Sequence, residues 1–490
     1  MPSLSHSWYN APLFDILDHQ NVFGHFVHST AAQRVLGVTQ RTTRFALLFI
    51  LILLGAACSR QAPASTPAPE ATVLPTPSSP LTLSSPLSPL RSPTQSKPAG
   101  TSTQIVEDRA RALQLQVFSE LWQAVRDTYI YPDYNGLDWD AVHERYRVRI
   151  HRGLDDEEFY QAMGEMIEEL GDEHSAFYSP EEVADEEELL RGQMDYVGIG
   201  IYVTVPVNKD HGVLLQVFPD SPAALAGLRP HDRILALDGI PVVDESGMDN
   251  LDLLEGPAGS EIQLTVQTPG RSPRELVLVR AEIQGQLTVD ARRLPGTEIG
   301  YIQIPTFQDQ TITTRVRQAL EDLTSAGALD GLVIDMRING GGLASELEGT
   351  LAIFTAGKLG TFVSRDAERS LIIAADPVGR SHELPLVILI GRETESYGEV
   401  FSGVLQENGR SQLVGRTTRG NVETLWQVDL ADGSRAWIAS ETFRPPSGAD
   451  WEATGIVPDL EILLDWDEFT EENDPQLQAA LNLLQNGTMN

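Results

Sequence analysis

The spacing of apolar residues changes several times along this chain, and each change marks a different kind of structure. Val117, Leu121 and Val125 recur at helical intervals, as do Trp139, Val142 and Tyr146. Phe159, Met163, Met166, Ile167 and Leu170 predict a third helix, ended by Gly171. Ser179-Pro180-Glu181-Glu182 opens an acidic fourth helix, with proline at its first position. From about Met194 to Ile283 the pattern turns into short strands and turns. Between Gly300-Tyr301-Ile302-Gln303-Ile304 and Leu464, strand-like runs alternate with helical ones, which predicts an α/β layer with crossover connections. Within it, Leu386-Val387-Ile388-Leu389-Ile390 reads as a strand covered on both faces, and Glu399, Val400, Val404 and Leu405 resume helical spacing. Pro475 to Leu484 predicts a terminal covering helix.

The amino-terminal part has a different character. Arg44 to Ala57 is apolar, preceded by Arg41 and Arg44, and too short to span a bilayer comfortably; it fits the core of a signal peptide. It runs into Cys58, the single cysteine of the chain, in Gly55-Ala56-Ala57-Cys58. This resembles a bacterial lipoprotein signal, with Gly55 where a leucine is usual. Cys58 is then the lipidated residue, or else the segment stays as an uncleaved anchor; both place the rest outside the cytoplasm. The stretch before Arg44 is long for a signal peptide, and translation from near Val35 or Val38 is the expectation. Residues 59–103 are rich in Pro, Ser, Thr and Ala and cannot bury enough surface to offset ordering entropy, so a flexible tether is expected.

Charge and composition remove several function classes. The 490 residues carry 70 acidic against 35 basic side chains, a net charge of −35, which repels phosphate backbones and argues against nucleic-acid binding. One cysteine allows no intrachain disulfide and no cysteine-rich metal site, and the only close histidine pair, His25 and His28, lacks a zinc-hydrolase context. No metal or cofactor is expected.

Ser396 stands where the strand Leu386 to Ile390 gives way to a helix. A hydroxyl there points out of the layer beside the free N–H groups of the first helical turn, as a nucleophile with an oxyanion site would. An ordinary N-cap serine is the plainer alternative. The glycines of Asp335-Met336-Arg337-Ile338-Asn339-Gly340-Gly341-Gly342 let backbone approach a ligand closely and aim N–H groups at an anion.

Gly198-Ile199-Gly200-Ile201, Ser221-Pro222-Ala223-Ala224-Leu225-Ala226-Gly227-Leu228 and Asp232-Arg233-Ile234-Leu235 resemble a PDZ module of the bacterial protease type, with His231 in place of a usual glycine. The resemblance implies that the backbone of Gly198, Ile199, Gly200 and Ile201 receives a peptide carboxylate. A ligand-free structural β-domain is the alternative. Asp335-Met336-Arg337 with Asn339, Ser396-x-x-Glu399, Gly415-x-x-Thr418-x-Gly420 and Gly455-Ile456-Val457-Pro458-Asp459 together resemble the C-terminal processing peptidases, or tail-specific proteases, from about Val117 to Leu464. The fold this implies is α/β, with a crotonase-like or Clp-like peptidase core, a helical N-terminal part and an inserted PDZ domain.

One departure bears on mechanism. Best-known members place a catalytic lysine directly after the last glycine of the Gly-x-x-Thr-x-Gly motif. Here that residue is Asn421, which accepts no proton at useful pH. The chain's lysines, Lys97, Lys209 and Lys358, lie in the tether, in a PDZ turn and ahead of the nucleophile. A second branch, similar to the tricorn core protease, uses serine, histidine and glutamate. Its pattern points to His174, in Asp172-Glu173-His174-Ser175-Ala176-Phe177, and to Glu452, with Glu441 as rival. The resemblance then implies Ser396 as nucleophile, His174 as base, Glu452 as its orienting carboxylate, and the N–H groups of Gly341 and Tyr397 as oxyanion donors.

The expected organisation is an N-terminal extension with a lipoprotein-like signal (1–58), a linker (59–103), a helical domain (104–190), a PDZ domain (191–284), a peptidase core (285–468) and a C-terminal helix and tail (469–490). The expected function is a cell-envelope serine endopeptidase acting on protein substrates and membrane-anchored at its amino end. The alternative is an inactive protein that binds peptides or lipids.

Overall fold

The computed structural model describes residues 102–487, apart from 173, 207, 245 and 246. The signal-like segment, Cys58 and the tether lie outside the described residues. Among those described, no helix is long and apolar enough to cross a membrane.

The amino-terminal helices are Ser102–Thr128, Trp139–His151, Asp156–Glu168 and Pro180–Leu190. Capping boxes set two of the starts, Asp155 with Glu158 and Ser179 with Glu182. Their apolar stripes, including Val117, Leu121, Val125, Val142 and Met163, have no exposure to solvent and pack into the same core as the α/β part. The helical segment therefore has no separate core of its own. Just after the third helix, the strand Ala176–Tyr178 pairs antiparallel with Arg435–Arg444, Ala176 opposite Trp437. That pairing carries the histidine loop to the carboxy-terminal half.

The central sheet runs in the order Asp290–Arg293, Ile299–Gln303, Gly331–Asp335, Leu386–Ile390, Gln412–Gly415, Leu460–Glu461. Its first pair is antiparallel and the rest are parallel. The strand Leu386–Ile390 is fully buried because its alternate side chains enter two different cores: Leu386, Ile388 and Ile390 face one, Val387 and Leu389 the other. Tyr397–Glu407 covers the first face, and Pro475–Asn486 covers the second. A second sheet joins Ala176–Tyr178, Arg435–Arg444, Gly357–Ser364 and Glu368–Ile373, with Glu423–Asp429 also on Arg435–Arg444.

The inserted domain has its own six-stranded sheet and its own apolar core, built from Ile199, Leu214, Ile234, Leu264 and Leu278 among others. The chain enters it through Met194–Gly198 and leaves through Ala281–Gly285, paired antiparallel. Across the boundary, Asp467, whose side chain is 1% exposed, faces His211, Arg233 and Lys209 of the inserted domain. His231 stacks on Trp466 with ring centroids 3.9 Å apart. The inserted domain is thus held to the core by polar and aromatic contacts around residues 465–469.

Candidate active site

Ser396 sits at the carboxyl end of the central strand with φ 54° and ψ −124°, a left-handed conformation uncommon for a residue with a Cβ. Holding it there costs on the order of 1–3 kcal/mol, which the surroundings must supply. Glu399 is the main support. Its buried carboxylate accepts from the Ser396 N–H at 3.1 Å, the Thr418 hydroxyl at 2.5 Å, and the N–H groups of Gly420 and Asn421, each at 2.8 Å. Thr418 Oγ1 in turn accepts from Ile456 N–H at 2.7 Å. One carboxylate therefore ties the serine turn to the Gly-x-x-Thr-x-Gly loop and, through Thr418, to the Gly-Ile-Val-Pro-Asp segment. Burial pushes the Glu399 pKa up to about 7, while its donors pull the other way.

The glycine-rich turn lies directly against this site. A Cβ on Gly341 would come within 2.7 Å of the Ser396 Cβ, and one on Gly342 within 2.1 Å of Gln308 N. Both positions require glycine. Gly341 already donates its N–H to Asn339 Oδ1 at 2.9 Å, within a turn that also brings Asn339 O to the Glu395 N–H at 3.0 Å. The Tyr397 N–H, at the first position of its helix, donates to no atom among the described residues. Asp335 and Arg337 form a buried ion pair, which Asp474 joins at 2.7 Å from the guanidinium. That pair anchors the terminal helix rather than touching the serine.

The histidine loop is held by Asp172, whose Oδ1 accepts from the His174 N–H at 2.9 Å and whose Oδ2 accepts from the Ser175 hydroxyl at 3.0 Å. His174 Nε2 lies 3.0 Å from Glu452 Oε1 and 3.6 Å from Glu423 Oε2, and Nδ1 has no partner. The structure therefore brings His174 and Glu452 together. Neither ring nitrogen is hydrogen-bonded to Ser396 in this conformation. Glu441, the rival carboxylate, is elsewhere, paired with Arg369 at 3.0 Å across the second sheet. Glu452 Oε2 accepts from Val422 N–H at 2.6 Å and Glu423 N–H at 3.1 Å, so the segment after Asn421 orients it.

Electrostatics follow from this crowding. Burial disfavours the imidazolium, but the Glu452 hydrogen bond and the charges of Glu423, Glu452 and Asp172 outweigh it, so the His174 pKa lies above its ordinary value. Glu423, 1% exposed, is pushed up to about 7 by burial, against the pull of His174 and of the Tyr131 hydroxyl that donates to it. Glu423 was not singled out from the sequence; its place two residues after Asn421 carries no motif. Asn421 is buried, and neither atom of its side-chain amide has a partner. His174, Asn421, Glu423 and Glu452 line a cavity of 810 Å³ between the core and the Pro206–Lys209 segment of the inserted domain. One potential donor atom from each of His174, Glu423 and Glu452 lies within 4.8 Å of the other two.

The loop expected to receive a peptide carboxylate already has a polar occupant. Tyr196 lies in the strand entering the inserted domain; its hydroxyl accepts from the Ile201 N–H at 3.0 Å and donates to Ile201 O at 3.2 Å. Ile199 and Ile201 are buried, and Gly198 closes the entering strand.

Comparison with known proteins places these features. The model of peptidase family S41 matches residues 298–462, that of the tricorn protease C1 domain matches 111–168, and that of a PDZ domain matches 213–268. The carboxyl-terminal-processing protease of Synechocystis sp. is 30% identical over 385 residues, covering 75% of this chain and 86% of the relative. The chloroplastic C-terminal processing peptidase of Tetradesmus obliquus is 31% identical, covering 71% and 76% respectively. Among solved structures, a photosystem II D1 C-terminal processing protease is similar with a TM-score of 0.55 and 29% identity, over 76% of this chain and 97% of that one. The fold and these matches define a serine-type peptidase of mixed α/β architecture with amino-terminal helices and a PDZ domain. The chain belongs to the carboxyl-terminal-processing protease family, within peptidase family S41.

Proposed function

We propose that this protein is an endopeptidase of the cell envelope that cleaves protein substrates near their C-terminal tails through Ser396, His174 and Glu452. The observation that carries the proposal is the 3.0 Å contact between His174 Nε2 and Glu452 Oε1. With Nε2–H donating to Glu452, the neutral ring keeps its lone pair on Nδ1, the nitrogen that has no partner. Closure of the site brings Nδ1 to the Ser396 hydroxyl. Nδ1 takes the proton as Oγ attacks the scissile carbonyl, then returns it to the leaving amine; water repeats the sequence on the acyl-enzyme. Glu452 stabilises the imidazolium formed in between. Tyr397 N–H supplies the free oxyanion donor, and Gly341 N–H joins it once Asn339 Oδ1 releases it.

In this reading Asn421 performs no proton transfer. The PDZ domain takes the substrate's terminal carboxylate at Gly198, Ile199, Gly200 and Ile201, where it displaces the Tyr196 hydroxyl. Cys58 or the apolar segment before it holds the enzyme at the membrane, outside the cytoplasm. The relatives' names support processing of C-terminal ends. Membership of a peptidase family weighs against the purely binding alternative.

The test is cleavage of one protein substrate bearing either a free or an amidated C-terminus. Wild type should prefer the free tail. Ser396→Ala should abolish turnover, and His174→Ala should lower kcat by about 1000-fold or more. Equal cleavage of the two tails removes tail recognition, and turnover by Ser396→Ala removes the nucleophile.

A further inference from the structure

The carboxylates around His174 outnumber what a triad needs. Glu452 suffices to orient the ring, yet Glu423 brings a second carboxylate to the same nitrogen. The Glu423 side chain is 2% exposed, and its Oε2 has no hydrogen-bond partner. A buried carboxylate oxygen in that state is costly unless a cation or a proton joins it.

We propose that His174 Nε2, Glu423 Oε2 and Glu452 Oε1 form a binding site for one divalent cation of zinc-like chemistry, and that its binding switches the peptidase off. Ligands about 2.0–2.1 Å from a tetrahedral zinc ion must stand roughly 3.4 Å apart. The two measured donor separations at His174 Nε2, 3.0 and 3.6 Å, bracket that spacing, and all three donor atoms lie within 4.8 Å of one another.

The carboxylates are also oriented from behind, as metal ligands usually are. Tyr131 donates to Glu423 Oε1, while Val422 and Glu423 N–H groups donate to Glu452 Oε2, leaving one oxygen of each acid facing the imidazole. The cavity gives an entry path and room for a fourth ligand. One imidazole and two carboxylates suit zinc or a similar transition metal better than magnesium or calcium, which prefer all-oxygen shells.

Inhibition follows from the tautomer. A cation on Nε2 displaces any proton there and obliges the neutral ring to carry its proton on Nδ1. That removes the lone pair that takes the Ser396 proton. The switching half of the proposal rests on His174 as base; the binding half does not.

The experiment is zinc competition between the full-length chain in detergent and a chromophoric indicator. It compares wild type, Ser396→Ala, Glu423→Gln and His174→Ala, with magnesium as control. Wild type and Ser396→Ala should bind one zinc ion more than Glu423→Gln and His174→Ala, or bind it at least tenfold more tightly. Histidines elsewhere cancel in that difference. A visible absorption band from cobalt(II) in tetrahedral coordination should appear in wild type, which needs no variant to fold. Equal zinc binding by all four proteins together with no such band overturns the site. Saturating zinc should lower wild-type kcat/KM at least tenfold; zinc bound at this site with undiminished cleavage overturns the switch. Zinc bound by a wild type that cleaves nothing leaves the site standing and fails the peptidase reading instead.

Discussion

Replacing Glu399 by alanine tests the carboxylate that ties the serine turn to the neighbouring loops. Its carboxylate satisfies four donors: Ser396, Gly420 and Asn421 N–H and the Thr418 hydroxyl. Stranding a buried donor costs about 1–3 kcal/mol, so four would cost roughly 4–12 kcal/mol if nothing relaxed. Thr418 can turn its hydroxyl and water can enter the space left, which lowers the expected loss to about 3–5 kcal/mol. That remains a large part of a typical net stability of about 5–15 kcal/mol. The substitution also frees the Ser396 backbone from its strained conformation, so reactivity should fall by about 100-fold or more even where the protein stays folded. Denaturant unfolding followed by tryptophan fluorescence gives the first number, and fluorophosphonate labelling below the unfolding transition gives the second. A loss under about 1 kcal/mol with labelling near wild type would refute the hub, and with it the reason for the Ser-x-x-Glu and Gly-x-x-Thr-x-Gly spacing.

With His174 as the proposed base, whose pKa is raised, kcat/KM should climb through an acidic limb centred above 6.5. Glu423→Gln removes one of the charges that raise it and should move that limb to lower pH; an unmoved limb contradicts the coupling. Stability should respond in the opposite sense to rising pH. Glu399, Glu423 and Glu393 each have a folded pKa of about 7 against an ordinary 4.5, so the stability they contribute is complete below 4.5 and lost as pH rises through 7. The unfolding midpoint should therefore fall between pH 5 and 8, less steeply in Glu423→Gln. Asp467→Ala removes the buried carboxylate shared by His211, Arg233 and Lys209 at the PDZ boundary but leaves each a partner, in Asp210, the main-chain carbonyl of residue 467 and Asp465, so it should cost about 1–3 kcal/mol, read as faster limited proteolysis between the domains. Gly342→Ala sets a Cβ 2.1 Å from the Gln308 backbone nitrogen at φ 142° and should yield little soluble protein, whereas normal expression and melting would contradict that contact.

Local pattern was enough to read the helices around Val117, Val142 and Met163, the doubly buried strand Leu386–Ile390 and the serine after it, because period and burial are written in neighbouring residues. What the chain does in space was less legible. The meeting of His174 with Glu452 depends on the pairing of Ala176 with Trp437, a long-range register that no spacing encodes. The preference for Glu452 over Glu441 rests on family resemblance; in space Glu452 lies beside His174, while the strand Arg435–Arg444 pairs Glu441 with Arg369. Glu423 went unnoticed since a single glutamate on a strand looks like any other. The contact of Tyr196 with Ile201 was equally illegible, because Tyr196 belongs to the strand entering the domain and lies outside the Gly-Ile-Gly-Ile motif. The glycine run beside Ser396 and the family resemblance point to Gly341 as an oxyanion donor, but the sequence does not show that Asn339 already holds its N–H in the folded turn.

The proposed catalysis depends on His174 serving Ser396, and the most direct measurement is the rate of Ser396 labelling by a fluorophosphonate in wild type and in His174→Ala as a function of pH. The prediction is labelling of wild type that rises with pH through the His174 titration, is absent in Ser396→Ala, and falls by at least about 100-fold with the pH step erased in His174→Ala. Labelling of His174→Ala at the wild-type rate, with the same pH profile, would contradict it.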